Sequence, residues 1–283
     1  MLLYKGKNVR GVTKMIKLLA VDMDGTCLNS KSQMSEATVS ALKKAAECGI
    51  TVVPTTGRNL TCLPHRLQEE DFYRYVITSN GAGVVDLKEN KRIFDLRIPC
   101  RTASELLDEC AGKGFGTAAH INEDYYVQGT LLSIIGRFYY GKDAEKSVNV
   151  KSISDYVKAE NVPVEEIQLY FIHPKSRERI EDILVRYPEL SSAFSSIYVE
   201  IFAKGASKGI ALSELAKHLG IGREEIACIG DGENDMPMFE FSGLKFAMGN
   251  AVDSLKKKAD AVLPSNNDDG VAYAINEYIL KNT

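Results

Sequence analysis

Leu18-Leu19-Ala20-Val21-Asp22-Met23-Asp24-Gly25-Thr26 is the stretch from which the rest of the chain is read. Four apolar residues form a short strand-like run, two carboxylates spaced by two follow it at once, and Gly25 lets the chain turn sharply. Open α/β sheets bind ligands at the C-terminal ends of their strands, where these acids would lie. Phosphoryl transfer needs an in-line nucleophile, an acid to protonate the leaving oxygen and a cation to neutralise equatorial charge; Asp22 and Asp24 can supply the first two. A calcium loop fits poorly, because the twelfth position from Asp22 is Gln33 instead of Glu and a strand precedes the motif instead of a helix. A solvated turn with two acids is the blander alternative for this motif taken alone.

Beyond this motif, residues 36–48 have helical spacing, with Val39, Leu42, Ala45 and Ala46 on one face, Ser35 as N-cap and Gly49 just past the end. The run Ile50-Thr51-Val52-Val53 then completes a β-α-β unit. Residues 75–78 offer a third strand, and residues 225–229, 244–247 and 261–263 repeat the alternation in the C-terminal third. Short apolar runs separated by helices predict an α/β fold, a Rossmann-like parallel-sheet core with helices on both faces. Between residues 84 and 198 the texture changes to turns such as Lys88-Glu89-Asn90-Lys91, short strands such as Tyr125-Tyr126-Val127 and amphipathic helices such as 101–111. A stretch this long is no loop. The expected organisation is an N-terminal extension at 1–14, a catalytic core at 15–83 and 199–283, and an inserted α+β domain at 84–198.

A second acidic constellation, Gly230-Asp231-Gly232-Glu233-Asn234-Asp235, follows the apolar run Ala227-Cys228-Ile229. Magnesium takes oxygen ligands, usually one or two carboxylates with phosphate and waters, so one acid from each cluster would complete a site. An acidic helix N-terminus is the competing explanation. Acids repel a phosphate dianion unless donors and positive charge stand nearby. Thr56, in Thr55-Thr56-Gly57-Arg58, offers a hydroxyl and backbone N–H groups, and Lys208, in Gly205-Ala206-Ser207-Lys208-Gly209, offers an ammonium. The latter pentapeptide also satisfies the serine-hydrolase pattern G-x-S-x-G, but the only later histidine, His218, falls in the helix that the serine opens. His65, His120 and His173 have no metal-binding spacing.

Of 283 residues 45% are apolar and the formal net charge is −3, which gives no reason to expect a nucleic-acid partner. Five Lys and Arg residues among the first 17 read as a solvated leader. The run at 18–21 is too short for a signal peptide or a membrane span. The six cysteines show no C-x-x-C pair, so reduced thiols and a cytoplasmic location are expected.

These motifs resemble, in order, the four signatures of the haloacid dehalogenase-like superfamily, and specifically its Cof-type branch of sugar-phosphate and related phosphatases. D-x-D-G-T corresponds to 22–26, T-G-R to 56–58, S-K-G to 207–209 and G-D-x-x-N-D to 230–235. Secondary matches are Ser79-Asn80-Gly81-Ala82, Ala247-Met248-Gly249-Asn250-Ala251 and Asp269-Gly270-Val271-Ala272. The resemblance implies Asp22 as nucleophile, Asp24 as general acid/base, and Thr56, Gly57, Lys208 and Asn234 as phosphate- or substrate-binding residues. It also implies Mg2+ held by Asp22, the backbone carbonyl of Asp24, and Asp231. Asn234 and Asp235 would orient the cation, its water or Lys208, and the insert would be a mobile cap that selects the substrate. Pro54-Thr55 departs from the small residue usual before the threonine and leaves the local strand end open. The expected activity is Mg-dependent hydrolysis of small phosphorylated metabolites, with a phosphomutase or a non-catalytic binder as alternatives. A hexose phosphate, flavin mononucleotide and pyridoxal phosphate are the substrates it suggests, with Glu123, Tyr125 and Tyr126 as cap residues facing them.

Overall fold

The computed structural model describes residues 15–129 and 147–282. The chain divides into two compact units: residues up to Gly57, Arg66–Phe94 and residues from Ser207 onward form one, and the described parts of Arg58–His65 and Asp95–Ala206 form the other. Among the described residues, no helix is long and apolar enough to cross a membrane.

The first unit is built on strands β1 (Leu18–Asp22), β2 (Thr51–Thr55), β3 (Tyr75–Thr78), β4 (Gly83–Asp86), β5 (Lys91–Asp95), β12 (Ile226–Gly230), β13 (Leu244–Ala247) and β14 (Ala261–Val262). They lie in the order β14-β13-β12-β1-β2-β3-β4-β5. Pairing is parallel from β14 through β3 and antiparallel between β3 and β4. Every residue of β1 and β12 is buried, which requires cover on both faces of the sheet and explains why these strands read as continuous apolar runs. The fold is thus the expected α/β core, with an antiparallel extension at one edge.

Local chemistry sets the elements as expected. The helix Glu36–Glu47 starts where Ser35 Oγ accepts from Thr38 N, and buries Val39, Ala41, Leu42 and Ala45. Burying Val39 and Leu42 contributes about 1.5–3 kcal/mol each. Strand β2 continues through Pro54 to Thr55. Backbone N–H groups alternate sides along a strand, and Thr56 N donates to Ile77 O of β3, so the donor that Pro54 lacks belongs to the same side. There the β2–β3 register consists of Thr55 opposite Ile77, and the proline interrupts no further pairing.

Both boundaries expected for the insert are displaced. Strand β4 pairs Val85 with Val76, so residues 83–86 extend the large sheet and the chain leaves the first unit only after Phe94. At the other end the strand beginning at Tyr198 belongs to the second unit, as do Arg58–His65. A change of texture marked the hairpin after β3 but not the sheet to which it pairs.

The second unit contains β6 (Phe115–Ile121), β7 (Asp124–Gln128), β8 (Val148–Val150), β9 (Glu166–Phe171), β10 (Leu190–Phe194) and β11 (Tyr198–Ala203), in the order β10-β11-β9-β6-β7-β8. Side chains alternate between faces. Ala119, Ile121, Ile167, Leu169, Val199 and Ile201 pack with Leu106, Ile153, Val157, Ile180 and Ile183 of the helices Cys100–Cys110, Ile153–Glu160 and Ser176–Leu184. The opposite face carries Ala118, Tyr125 and Val127 with Gln168 and Tyr170. Tyr126 therefore points away from Tyr125: it lies in the helix-covered core, its hydroxyl 2.8 Å from that of Tyr156. The expectation that both tyrosines share a substrate-facing side is corrected by the pleat of β7. Glu123 occupies the preceding turn at φ +71°, its carbonyl accepting from Thr61 N and Oγ1.

Candidate active site

Strand register brings the motifs together. Asp22 ends β1 opposite Thr55 of β2, and on the other side Val21 pairs with Ile229, one residue before Gly230 and two before Asp231. Two acidic clusters far apart in sequence therefore emerge at one sheet edge.

At that edge Lys208, the first residue of the helix Lys208–Leu219, is 1% exposed and donates to Asp22 Oδ1 at 2.5 Å and Asp235 Oδ1 at 2.6 Å. The lysine is held there by close backbone packing. Ser79, Asn80 and Gly81 follow β3 with successive positive φ angles, and a Cβ on Gly81, at φ +94°, would collide with the Ser207 carbonyl. Left-handed backbone at two non-glycine residues is costly and recurs at functional sites. Here it lets Asn80 N reach Thr56 O at 3.1 Å and turns the Asn80 side chain toward Asn234, whose Nδ2 donates to Asn80 Oδ1 at 3.1 Å. A Cβ on Gly57 would lie 3.1 Å from the Asn80 amide.

Carboxylate oxygens of Asp22, Asp231 and Asp235 lie within 4.8 Å of one another. Asp235 is fully buried, and both its oxygens are engaged: Oδ1 by Lys208, Oδ2 by Asp231 N at 2.9 Å and Gly232 N at 3.0 Å. That suits an orienting residue. Asp231 is half-buried; its Oδ1 accepts from Thr26 Oγ1 at 3.1 Å and its Oδ2 from Asn250 Nδ2 at 3.3 Å. Asp24 is exposed, and its carboxylate stands outside the group formed by the other three.

Burial, reinforced by the Asp235 charge, pushes Asp22 well above the usual carboxylate range against the pull of Lys208. Asp231 is raised by the same two causes, burial first. Burial disfavours the Lys208 ammonium, yet the Asp22 and Asp235 charges outweigh it and hold the lysine above its ordinary value. Three acids around one ammonium leave negative charge in excess, in an all-oxygen donor set suited to a hard divalent cation. Asp235 is taken up by the Lys208 ammonium and two backbone N–H groups, whereas each oxygen of Asp231 accepts a single hydrogen bond, so the donor set fits a divalent cation such as Mg2+ through Asp22 and Asp231.

The serine of the G-x-S-x-G pattern is a helix cap: Ser207 Oγ accepts from Ile210 N at 3.2 Å, and His218 lies in the last turn of the helix it opens. Three residues of the site had no role assigned from sequence: Thr26, Asn80 and Asn250. Their signal was present, since S-N-G-A follows β3 and A-M-G-N-A overlaps the end of β13, at the same sheet edge as the acids.

The sequence pattern of haloacid dehalogenase-like hydrolases matches residues 19–275. Phosphatase YwpJ of Bacillus subtilis (strain 168) is 31% identical over 287 residues, spanning 91% of this chain and 98% of its own. From the same organism, 5-amino-6-(5-phospho-D-ribitylamino)uracil phosphatase YwtE is 29% identical over 293 residues, spanning 93% and 98%. A solved haloacid dehalogenase-like hydrolase from B. subtilis superposes with a TM-score of 0.80 at 27% identity, covering 93% of this chain and 99% of that one. The chain belongs to the haloacid dehalogenase-like hydrolase family and is a phosphatase of it.

Proposed function

We propose that the protein hydrolyses small phosphorylated metabolites, sugar phosphates foremost, through an aspartyl phosphate formed on Asp22. The observation that carries this reading is the buried Lys208 bridging Asp22 and Asp235, with Asp231 alongside, at the C-terminal ends of β1 and β12. A lysine so placed draws a phosphate dianion toward the nucleophile and holds the attacking carboxylate in one rotamer.

Asp22 attacks phosphorus in line; the bond to the leaving oxygen breaks as Asp24 donates a proton to it, releasing the alcohol. Asp24 then takes a proton from water, the resulting hydroxide attacks phosphorus, and the bond to Asp22 breaks to release phosphate. Thr56, the backbone N–H groups around Gly57, and Asn234 bind the phosphoryl oxygens, while Asp235 holds Lys208. Mg2+, held by Asp22, Asp231 and the Asp24 carbonyl, would neutralise charge on the phosphoryl group. The second unit acts as the substrate-selecting cap, a role supported by resemblance and by the hydrogen-bonding face around Tyr125, Gln168 and Tyr170.

The test is phosphate release from a panel of hexose phosphates, ribityl phosphates, flavin mononucleotide and pyridoxal phosphate, with and without Mg2+. Magnesium-dependent release that disappears in Asp22→Asn, with that variant still folded, is the expected result. Turnover surviving in Asp22→Asn would rule out the covalent intermediate.

A further inference from the structure

The mechanism leaves A-M-G-N-A and D-G-V-A without a task, yet both segments lie against the nucleophile loop. Met248 N donates to Gly230 O at 3.0 Å and Val252 N to Asp231 O at 2.9 Å, so the turn between them is stitched to the end of β12 on both sides. Gly249 N bonds Pro264 O at 3.2 Å. This fixes the backbone of Asn250, and Asn266 N donates to its Oδ1 at 2.9 Å, which settles which way the amide faces. The two protons on Nδ2 then go to two segments: Gly25 O at 2.8 Å and Asp231 Oδ2 at 3.3 Å. The same face of the loop is tied down by Asn266 Nδ2 to Leu28 O at 2.8 Å, Ser30 N to Asn267 Oδ1 at 3.0 Å and Ser35 Oγ to Asp269 Oδ1 at 2.5 Å.

We propose that Asn250 is a positioning residue that clamps the Asp231 carboxylate to the loop carrying Asp22 and Asp24, so that the divalent-cation site is formed before the cation arrives. The inference rests on the proposed magnesium-dependent reading of the site. Asp231 is half-buried and stands beside the like charge of Asp235, so a fixed orientation of its carboxylate needs partners that hold it. Thr26 holds one of its oxygens and Asn250 the other, and each oxygen keeps a lone pair for a ligand. Gly25 allows this approach, since a Cβ there would collide with Asp231. Partners that orient a ligating carboxylate typically change metal affinity 10- to 100-fold when removed. Asn250 is itself exposed, so its loss leaves the core intact.

The test is calorimetric titration of folded protein with Mg2+ alone, for wild type, Asp231→Asn, Asn250→Ala and Asn267→Ala, with thermal unfolding of each in the absence of the ion. Expected are loss of binding in Asp231→Asn and a dissociation constant raised about tenfold in Asn250→Ala with an unchanged unfolding temperature. Asn267→Ala, which cuts a tie that does not reach Asp231, should bind as wild type. Asn250→Ser, too short to bridge both acceptors, gives the same reading if the alanine variant does not fold. Wild-type affinity in Asn250→Ala beside lost binding in Asp231→Asn overturns the clamp alone, and so does an equal weakening in Asn267→Ala. Equal binding by wild type and Asp231→Asn overturns the magnesium reading itself.

Discussion

At the end of β1 an ammonium is enclosed by two carboxylates, Asp22 and Asp235, whereas on one face of the second sheet Tyr125, Gln168 and Tyr170 share neutral hydrogen bonds of 3.0–3.2 Å. The first arrangement is fixed by backbone: strand ends in register, a run of positive φ angles and a helix start pressed against Gly81. The second is fixed by side chains alternating along strands whose backbone accepts almost any residue. Chemistry common to many substrates belongs to the first kind of scaffold. Discrimination among substrates, the role proposed for the second unit, suits the second kind, where a side chain can change without moving the backbone.

The largest expected effect lies in the first region. Lys208→Ala leaves Asp22 and Asp235 buried without their shared cation, and breaking a buried ion pair from one side costs about 3–5 kcal/mol. Urea unfolding should show that loss, and phosphate release should fall with it. A variant as stable as wild type would mean that the acids are neutral in the folded protein and that the lysine is not what holds them.

Acid should separate the two regions next. Burial lowers the His120 pKa to about 3, with Glu166 Oε1 4.0 Å from its ring nitrogen and the Tyr125 ring beside it. An unfolded chain protonates the same group near 6.5. The folded value is the lower one, so stability is complete above about pH 6.5 and declines toward pH 3 by up to ~1.4 kcal/mol per pH unit. Protection factors of the β6 and β9 amides should fall across that window, and His120→Gln should flatten the dependence. An unchanged slope in the variant would assign the acid sensitivity to other groups.

The same contrast explains what could be read from sequence. Asp22, Asp231, Lys208 and Asp235 were legible because their neighbours carry the backbone requirement: an apolar strand before each acidic cluster and glycines where chains approach closely. Asn80 and Asn250 stood in visible motifs, but their roles depend on hydrogen bonds to Asn234 and Asp231, which no local pattern encodes. The limits of the insert were misplaced because Gly83–Asp86 pairs with Tyr75–Thr78 and Tyr198–Ala203 with Glu166–Phe171, and partner choice is a property of the sheet. Tyr125 and Tyr126 looked equivalent as aromatic neighbours until the pleat separated them.

That separation supports the finest prediction. Tyr125 donates to Gln168 Oε1 at 3.0 Å on one face, and Tyr126 shares a 2.8 Å hydrogen bond with Tyr156 on the other. Phenylalanine at either position removes one hydroxyl and keeps the ring, a loss of about 0.5–1.5 kcal/mol. Tyr126→Phe should show only that loss, since its partner lies within the helix-covered core. Tyr125→Phe alters the face proposed for substrate selection, so KM should change unequally across a panel of phosphate esters while kcat, for which Asp22 and Asp24 are the proposed groups, changes little. Equal KM shifts for all esters would detach selection from that face. Unequal shifts in Tyr126→Phe would mean instead that the core beneath the sheet sets the positions of the residues above it, and that the two faces act as one.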